Sequence, residues 1–482
     1  MPFPFTLPTT SATALTASFN SPTHPSLILT ATSQRAAVRD VLKKHKRLAA
    51  ASQPANVPVV QEALNAYIPY LLSIYHSSPD ATGPSSYDGQ IQVAITEVKD
   101  LVTEWRSTLT SGVPGREPAR ITVKGLGNEL AFVLETLAYS YTHLARSSLL
   151  QLQRTTSPSS EVRASFLATA MKHLLHAHSI HTYVTTLHVT TATPPPIDVS
   201  TTTASALASL ALAEATVTVT LKDDPYAAAV ADDRDKDSKS WMVAAPSIPK
   251  TRANLYARIC IAAADHAAKA SGLLPRSSGI GPGKLDDDLI KYVDDLRRTA
   301  RGKAARWFAV AAEDMGKTGE AIAWLRGAKR ELGIVAGDDS GQRRGLKGLK
   351  QSWTEKREDR RVEKGVEDWG LDAGRFEEAR VVEWLEAKWV KSNDTINVQA
   401  VPPFEPLLAQ MPSGREYHTP TPYSPPTLPP EVLNSMRSPI DPSQGVYTGM
   451  EDDSGDEEAV APPVGAFPGT ERQYNASSAS YY

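Results

Sequence analysis

Apolar residues recur at intervals of three or four through much of the chain, which is the period of one face of an α-helix. The clearest example is Ile91, Ile95, Val98, Val102 and Trp105, spaced by four, three, four and three residues. This spacing places all five side chains in one stripe of a helix whose other face is polar. It therefore predicts an amphipathic helix over residues 91–105, with the stripe in the core.

The same reasoning predicts a series of further helices after an extended, Pro- and Thr-rich lead over residues 1–30. In residues 200–222, Thr216 to Leu221 alternate as they would in a strand, but the flanking alanines favour a helix. The predicted helices cover residues 33–51, 59–74, 128–153, 160–189, 200–222, 249–273, 285–313, 319–332, 348–366 and 374–390. Helix pairs joined by short loops are typical of a solenoid-type array.

Composition changes after Val401: fifteen of the 36 prolines lie between Pro402 and Pro468, and an acidic run follows at residues 451–458. Such a segment contains too little apolar surface to offset its ordering entropy. We expect a helical domain over residues 1–430 and a disordered Pro-rich, acidic tail over residues 431–482.

The net charge of −3 argues against a nucleic-acid-binding protein, which would carry a basic face. The one cysteine, Cys260, excludes a disulfide within the chain and is expected to be buried. No stretch is apolar enough to span a bilayer, and the first thirty residues lack a signal-peptide pattern. These features predict a cytoplasmic protein.

Five of the eleven histidines lie between residues 173 and 188, which is the strongest indication of a metal site. On a helix, His173, His181 and His188 fall within about 80° of one another but about 10–12 Å apart along the axis. None of the five stands at the i, i+4 spacing that lets one zinc ion bridge a helical turn. We therefore expect structural or surface histidines and no metal.

Other candidate chemistry lacks essential residues. Asp233, Asp235 and Asp237 resemble the start of a calcium loop, but Ser238 and Ala244 stand where glycine and glutamate are needed. The glycine-rich stretch 279–283 is not followed by the Lys-Ser/Thr of a phosphate-binding loop. The sequence thus predicts neither an enzyme nor a cofactor.

Three segments, in order, carry a resemblance to one protein family. Residues 129–145, Glu-Leu-Ala-Phe-Val-Leu-Glu-Thr-Leu-Ala-Tyr-Ser-Tyr-Thr-His-Leu-Ala, are similar to the family's signature helix, although Leu130, Glu135 and Thr136 depart from it. Residues 319–328, Gly-Glu-Ala-Ile-Ala-Trp-Leu-Arg-Gly-Ala, match a second family helix, and residues 393–402, beginning Asn-Asp-Thr-Ile, match the exit of the domain. On these segments the chain resembles the Bro-one-domain family, and residues 222–226 and 413–420 narrow the resemblance to the fungal pH-response regulators of this family.

The resemblance implies an all-α, curved helical array with a tetratricopeptide-like core. It also implies a non-enzymatic scaffold that binds the C-terminal amphipathic helix of an ESCRT-III filament subunit. In the pathway that it implies, ambient alkaline-pH signalling, such scaffolds bring a calpain-like protease to a zinc-finger transcription factor. Other pH-signalling components are further partners, and recruitment to plasma-membrane or endosomal signalling sites would be indirect.

Carried onto this sequence, the family's helix-binding groove corresponds to Val217, Leu221, Tyr226 and Val230, of which Val217 alone rests on an ungapped register. A helix in a groove is held by apolar anchors at i, i+3, i+4 and i+7. The same residues could instead be ordinary core positions. A generic tetratricopeptide-like scaffold in endosomal sorting with another partner is the first alternative. A metal-dependent enzyme that uses the His173–His188 cluster is a distant second.

Overall fold

The computed structural model describes residues 2–78, 93–110, 118–155, 158–187, 195–227, 229–230, 250–275, 284–334 and 370–438. The predicted helix 348–366, the acidic run 451–458, the Asp233–Asp237 loop, the glycine-rich stretch 279–283 and His188 lie outside these residues. Within them the fold is helical, as predicted, with two small two-stranded antiparallel sheets. The helices are α1 (Pro25–Arg47), α2 (Gln53–Ser77), α3 (Leu126–Arg154), α4 (Ser160–Val184), α5 (Thr201–Thr220), α6 (Lys250–Leu273), α7 (Asp287–Asp314), α8 (Thr318–Leu332), α9 (Arg375–Ser392), α10 (Glu405–Ala409) and α11 (Pro430–Ser435).

Consecutive helices pack side by side, from α1 against α2 through to α8 against α9, and α9 also contacts α7. This is the nearest-neighbour packing of an array of α-hairpins. The described residues up to Arg437 form one compact unit. The predicted boundary at residue 430 stays a prediction, although α11 lies beyond it and buries Leu433.

The predicted helix over residues 91–105 is wrong. Val102–Arg106 form strand β3, which pairs antiparallel with β4 (Arg120–Lys124), and Thr96–Glu97 form β2, which pairs with β1 (Phe19–Asn20). The buried residues alternate, with Leu101, Thr103 and Trp105 facing inward, whereas Val98 is 70% and Val102 is 41% exposed. The spacing of three and four residues between the five apolar positions was therefore a coincidence, because the buried residues follow the period of two of a strand. Strand β4 supplies the partner that makes β3 stable.

Helix α3, which contains the signature segment 129–145, contacts elements that are distant from it in sequence. The carboxylate of Glu129 is fully buried and accepts hydrogen bonds from Arg35 Nε at 2.8 Å and Trp105 Nε1 at 2.6 Å. Because an unpaired carboxylate is costly in the core, these donors fix α1 and β3 against α3. Glu129, which matches the family pattern, therefore has a structural role.

The other two segments that carry the family resemblance meet each other. Gln399 Oε1 accepts from the backbone N–H of Gly319, and the Asn393 side chain bonds both backbone groups of Gln399. A Cβ on Gly319 would lie 2.3 Å from the Ala400 carbonyl oxygen. The glycine that opens this motif is thus required by the close approach of the chain at the domain exit.

The expectation that no stretch is apolar enough to span a bilayer does not hold for helix α5. By length and composition alone this helix could cross a membrane, and it is the one helix of the described ranges that meets this test. In the fold, 83% of its apolar window is buried. It is the central helix of the array, packed between α4 and α6. Its low polarity is therefore explained by its position in the core.

Candidate functional site

Helix α5 begins where Ser200 caps it, with Ser200 Oγ accepting from the Thr203 N–H. The alternating threonines near its end satisfy their hydroxyls inside the helix. Thr216 Oγ1 donates to the Leu212 carbonyl and Thr218 Oγ1 to the Glu214 carbonyl, both at 2.7 Å. This back-bonding, together with burial between helices, explains why the strand-like pattern is helical, as predicted.

Val217 is half-buried on α5 and lies over three fully or nearly fully buried alanines, Ala263, Ala264 and Ala300. Alanines leave little side-chain volume on α6 and α7 beneath it. Val217 therefore keeps part of its apolar surface exposed above a region of small, buried side chains.

Leu221, one turn further along, is also half-buried but packs against a different cluster. That cluster is formed by α3, α4 and α5 and includes Leu149, Leu167 and Leu174. Val217 and Leu221 thus lie one helical turn apart on α5 and pack against two different clusters. Together they are the predicted site residues with side-chain surface left for a partner.

Tyr226 and Val230 point into the protein. They are 5% and 8% exposed and lie in one core cluster with Val219 and Trp307. The Tyr226 ring packs edge-on to Trp307, with 6.3 Å between ring centroids. The structure thus brings two of the four predicted residues into the core, while a binding role for the set stays a prediction.

The turn that follows α5 is held by a buried network of charges. Arg306 on α7 contacts Asp224 through Nη2 at 2.5 Å and Glu378 on α9 through Nε at 2.5 Å, and all three side chains are buried. Lys303 adds a second cation, with Nζ 2.6 Å from Glu378. Burial by itself would raise the pKa of Asp224, but Arg306 and Lys303 outweigh it, and its pKa lies below the ordinary value.

This network fixes the end of the candidate site. Asp224 also accepts from the Tyr226 N–H, and the Arg306 guanidinium lies 5.4 Å from the Tyr226 ring centroid. The segment at residues 222–226, which the sequence comparison with the pH-response regulators singled out, is therefore a joint between α5, α7 and α9. Sequence reasoning did not pair Asp224 with Arg306, because 82 residues separate them.

The N-terminal segment, residues 2–11, has almost no regular secondary structure but is packed against the helices. The predicted extended lead over residues 1–30 is wrong in its last part, because α1 begins at Pro25. Phe3, Phe5 and Leu7 are buried, and Phe5 stacks on Tyr139 of α3 at 4.6 Å between centroids. The Phe3 N–H donates to Glu214 Oε1 on α5 at 3.0 Å. The signal that could have revealed this is the repeated Pro-Phe pair at the start, two large apolar side chains in a segment otherwise rich in threonine.

Glu214 is the buried acid at this junction, three residues before Val217. Its Oε1 also accepts from the Tyr292 hydroxyl of α7 at 2.6 Å. Burial raises the pKa of Glu214, hydrogen bonds from Tyr292 and Phe3 lower it in part, and the result is about 7. One carboxyl group therefore joins the N-terminal segment, α5 and α7 beneath the candidate site.

The histidines of α4 have separate partners. His173 and His176 pack around Tyr141, His178 Nδ1 is 2.8 Å from the Ala208 carbonyl oxygen, and His181 Nδ1 is 2.7 Å from Glu135 Oε2 in the core. Burial lowers the pKa of His173, His176 and His178. In the described ranges, no three His, Cys, Asp or Glu side chains are grouped to hold a metal.

Ionisable groups also meet in an open cleft of about 460 Å³ along α7. Its lining contains three carboxylates and three basic groups, and one pair, Arg375 and Asp295, is joined by a 2.8 Å ion pair. The charges of both signs balance along this cleft. Its lining contains no serine, threonine, cysteine or histidine and includes Asp287, Ile290, Lys291, Asp294, Arg298 and Gly333.

The chain matches the BRO1-like domain family over residues 90–413. It is 40% identical over 502 aligned positions to the pH-response regulator protein palC of Emericella nidulans, covering 97% of this chain and 99% of that protein. It is 33% identical over 149 residues to the palC protein of Cryptococcus neoformans var. neoformans serotype D, covering 30% of this chain and 28% of that one. The family resemblance found in the sequence, and its narrowing to fungal pH-response regulators, are thereby confirmed.

Two solved structures share the fold. The ALIX BRO1 CHMP4C complex aligns with a TM-score of 0.51 and 15% identity over 88% of this chain and 95% of that chain. ALIX in complex with the SIVmac239 PYKEVTEDL late domain aligns with a TM-score of 0.52 and 16% identity, over 88% of this chain and 49% of that chain. At these identities the likeness shows a common fold.

Proposed function

The chain belongs to the BRO1-like domain family, and from that premise we propose that it is a non-enzymatic scaffold of the ambient alkaline-pH response. The observation that carries the proposal is the 40% identity to a pH-response regulator along almost the whole of both chains. The scaffold supports proteolytic activation of a pH-responsive transcription factor. It acts in the cytoplasm and is recruited to plasma-membrane or endosomal signalling sites.

The partner in this proposal is the C-terminal amphipathic helix of an ESCRT-III filament subunit. Support comes from the family resemblance and from a fold neighbour whose structure is a complex with CHMP4C, an ESCRT-III protein. Val217, half-buried above three alanines, and Leu221, one turn on, are spaced as two successive anchors for a helix. Tyr226 and Val230 contribute by supporting the end of α5 from the core.

The test is the affinity of the full chain for an ESCRT-III C-terminal peptide. A buried interface anchor contributes about 2 kcal/mol, so Val217→Asp or Leu221→Asp is expected to weaken binding about 30-fold. Thr202→Asp, at an exposed position in the first turn of the same helix, is the matched control and leaves the affinity unchanged. Far-UV circular dichroism checks that each variant keeps the helical content.

Unchanged affinity in both Val217→Asp and Leu221→Asp, with normal binding by the parent chain, contradicts this groove. No binding by the parent chain contradicts the ESCRT-III partner and favours the generic scaffold, for which a partner screen is the next step. Stoichiometric zinc in the purified protein, measured by elemental analysis, would contradict a purely scaffolding role and return attention to His173 and its neighbours.

A further inference from the structure

The C-terminal strap, defined as residues 412–437, crosses several helices without regular secondary structure before it ends in α11. At its start, the Arg415 N–H donates to the Arg258 carbonyl of α6, and Glu416 pairs with His266 at 3.0 Å. Further on, Ser179 Oγ of α4 donates to the Thr421 carbonyl at 2.7 Å. The strap is therefore docked through its backbone as much as through its side chains.

The exposure of residues 419–428 depends on the chemistry of their side chains. Pro420, Tyr423, Pro425 and Pro426 are half-buried, and Leu428 is buried with 6% exposure. The serine and threonine residues are all exposed, namely Thr419, Thr421, Ser424 and Thr427. Most apolar side chains of this part of the strap thus lie against the helices, together with the Tyr423 hydroxyl, whereas its serine and threonine residues are exposed to solvent.

Three of these exposed hydroxyls are followed directly by proline, in the pairs Thr419-Pro420, Thr421-Pro422 and Ser424-Pro425. A residue before proline is restricted to extended backbone conformations. An extended Ser/Thr-Pro segment with an accessible hydroxyl is the substrate form that proline-directed protein kinases accept. Elsewhere in the described ranges, Ser21-Pro22 has the same sequence pattern but is 1% exposed, with Ser21 Oγ bonded to the Ala94 carbonyl.

We propose that the strap is a phosphorylation site, with Thr419, Thr421 and Ser424 as acceptors for a proline-directed kinase that uses ATP. In each transfer the hydroxyl oxygen forms a bond to the γ-phosphorus of ATP, the bond between that phosphorus and the β,γ-bridging oxygen breaks, and the hydroxyl proton is released. The products are the phosphorylated side chain and ADP. The strap supplies the accessible oxygen and the extended backbone, and the kinase supplies the catalysis.

Phosphorylation would change the charge of this surface strongly. The strap contains Arg415 and Arg437 against Glu416 and Glu431, so its formal net charge is zero. Each phosphate adds about −1.5 to −2 at neutral pH. Three phosphates within six residues would therefore turn a neutral strap into one of about −5. Because the acceptors point away from the helices, the buried contacts of Leu428 need not break.

The experiment incubates the full chain with ATP and a proline-directed kinase, and locates phosphate by mass spectrometry. A synthetic peptide of residues 415–429 is run in parallel to establish that the kinase accepts this sequence. The matched variant carries Thr419→Ala, Thr421→Ala and Ser424→Ala. Ser21 serves as the internal control for the same dipeptide in a buried position.

The expected result is phosphate on the three strap residues of the folded chain, none on Ser21, and loss of the strap signal in the triple variant. The thermal midpoint of the phosphorylated chain should stay close to that of the parent, because the acceptors make no core contacts. Phosphorylation of the free peptide without phosphorylation of the strap in the folded chain would overturn the proposal. So would equal incorporation at Ser21, since burial would then not govern the site.

Discussion

Replacing Glu214 by glutamine should change how the stability of the protein depends on pH. The buried carboxyl has a pKa of about 7 in the fold, against an ordinary value of 4.5. Between these two values the folded state keeps a proton that the unfolded state has released, so the free energy of unfolding falls as pH rises. Below pH 4.5 the penalty is absent, and above pH 7 it is complete.

The magnitude follows from the size of this shift. One pKa unit corresponds to about 1.4 kcal/mol, so a shift from 4.5 to about 7 amounts to roughly 3 kcal/mol at most. Glutamine cannot ionise, and its amide oxygen can take the place of Oε1, which accepts both the Phe3 and the Tyr292 hydrogen bonds. Glu214→Gln should therefore gain up to about 3 kcal/mol on the parent between pH 4.5 and pH 8.

The assay is denaturant unfolding of parent and variant at several pH values from 5 to 8, read as the difference between the two at each pH. Taking the difference removes the titration of all other groups that the two proteins share. Glu161→Gln, at an exposed position in the first turn of α4, is the control for removing a carboxylate from the surface. A flat Glu214→Gln difference across this range would refute the proposed burial of an ionising carboxyl at this junction.

Two further variants test the joints around the candidate site. Arg306→Met removes the guanidinium that pairs with the buried Asp224 and Glu378, so it should lower the free energy of unfolding by about 3–5 kcal/mol. The control, Arg326→Met, removes an ion pair between an exposed arginine and Glu386 and should lower it by at most about 1 kcal/mol. Equal effects in the two unfolding curves would contradict the stated role of the network. Gly414→Ala should loosen the strap, because a Cβ there would lie 2.6 Å from the Ala262 backbone nitrogen, while Gly272→Ala meets no atom within 4 Å. Limited trypsin digestion should then cleave after Arg415 faster in Gly414→Ala alone, and identical cleavage rates would show that the strap is not docked there.

Most of the helices could be predicted from sequence because each buries one stripe of apolar residues at the helical period, and α5, which is buried nearly all round, could be predicted from its alanines. The boundaries of α5 and α8 differ from the predicted ones by two residues or fewer. The strand β3 could not be predicted in this way, since five apolar positions satisfied a helical period while the buried ones followed a period of two. What decided between them was pairing with β4, a contact that no window on residues 91–105 contains.

The candidate site also has residues that a local sequence pattern places and residues that distant contacts place. Val217 could be placed from an ungapped register with the family, and the structure leaves it surface for a partner. Tyr226 and Val230 are equally apolar in sequence, yet Arg306 and Trp307, about eighty residues later, determine that they face the core. Inward or outward orientation after the end of a helix depends on such distant contacts, which sequence periodicity does not encode.

The N-terminal segment and the C-terminal strap each join helices that are not neighbours in the array. These links give the array a rigidity that packing between neighbouring helices alone would not provide. The N-terminal segment joins α3, α5 and α7 through Phe5 and Glu214, and the strap joins α4 to α6 through Thr421 and Arg415. Both act on the helices that surround Val217. In the function that we propose, a binding site held in this way loses less conformational entropy when a partner helix binds, so more of the contact energy appears as affinity. Stability changes at Glu214 or Gly414 should consequently reach the affinity for the partner, although neither residue need touch it.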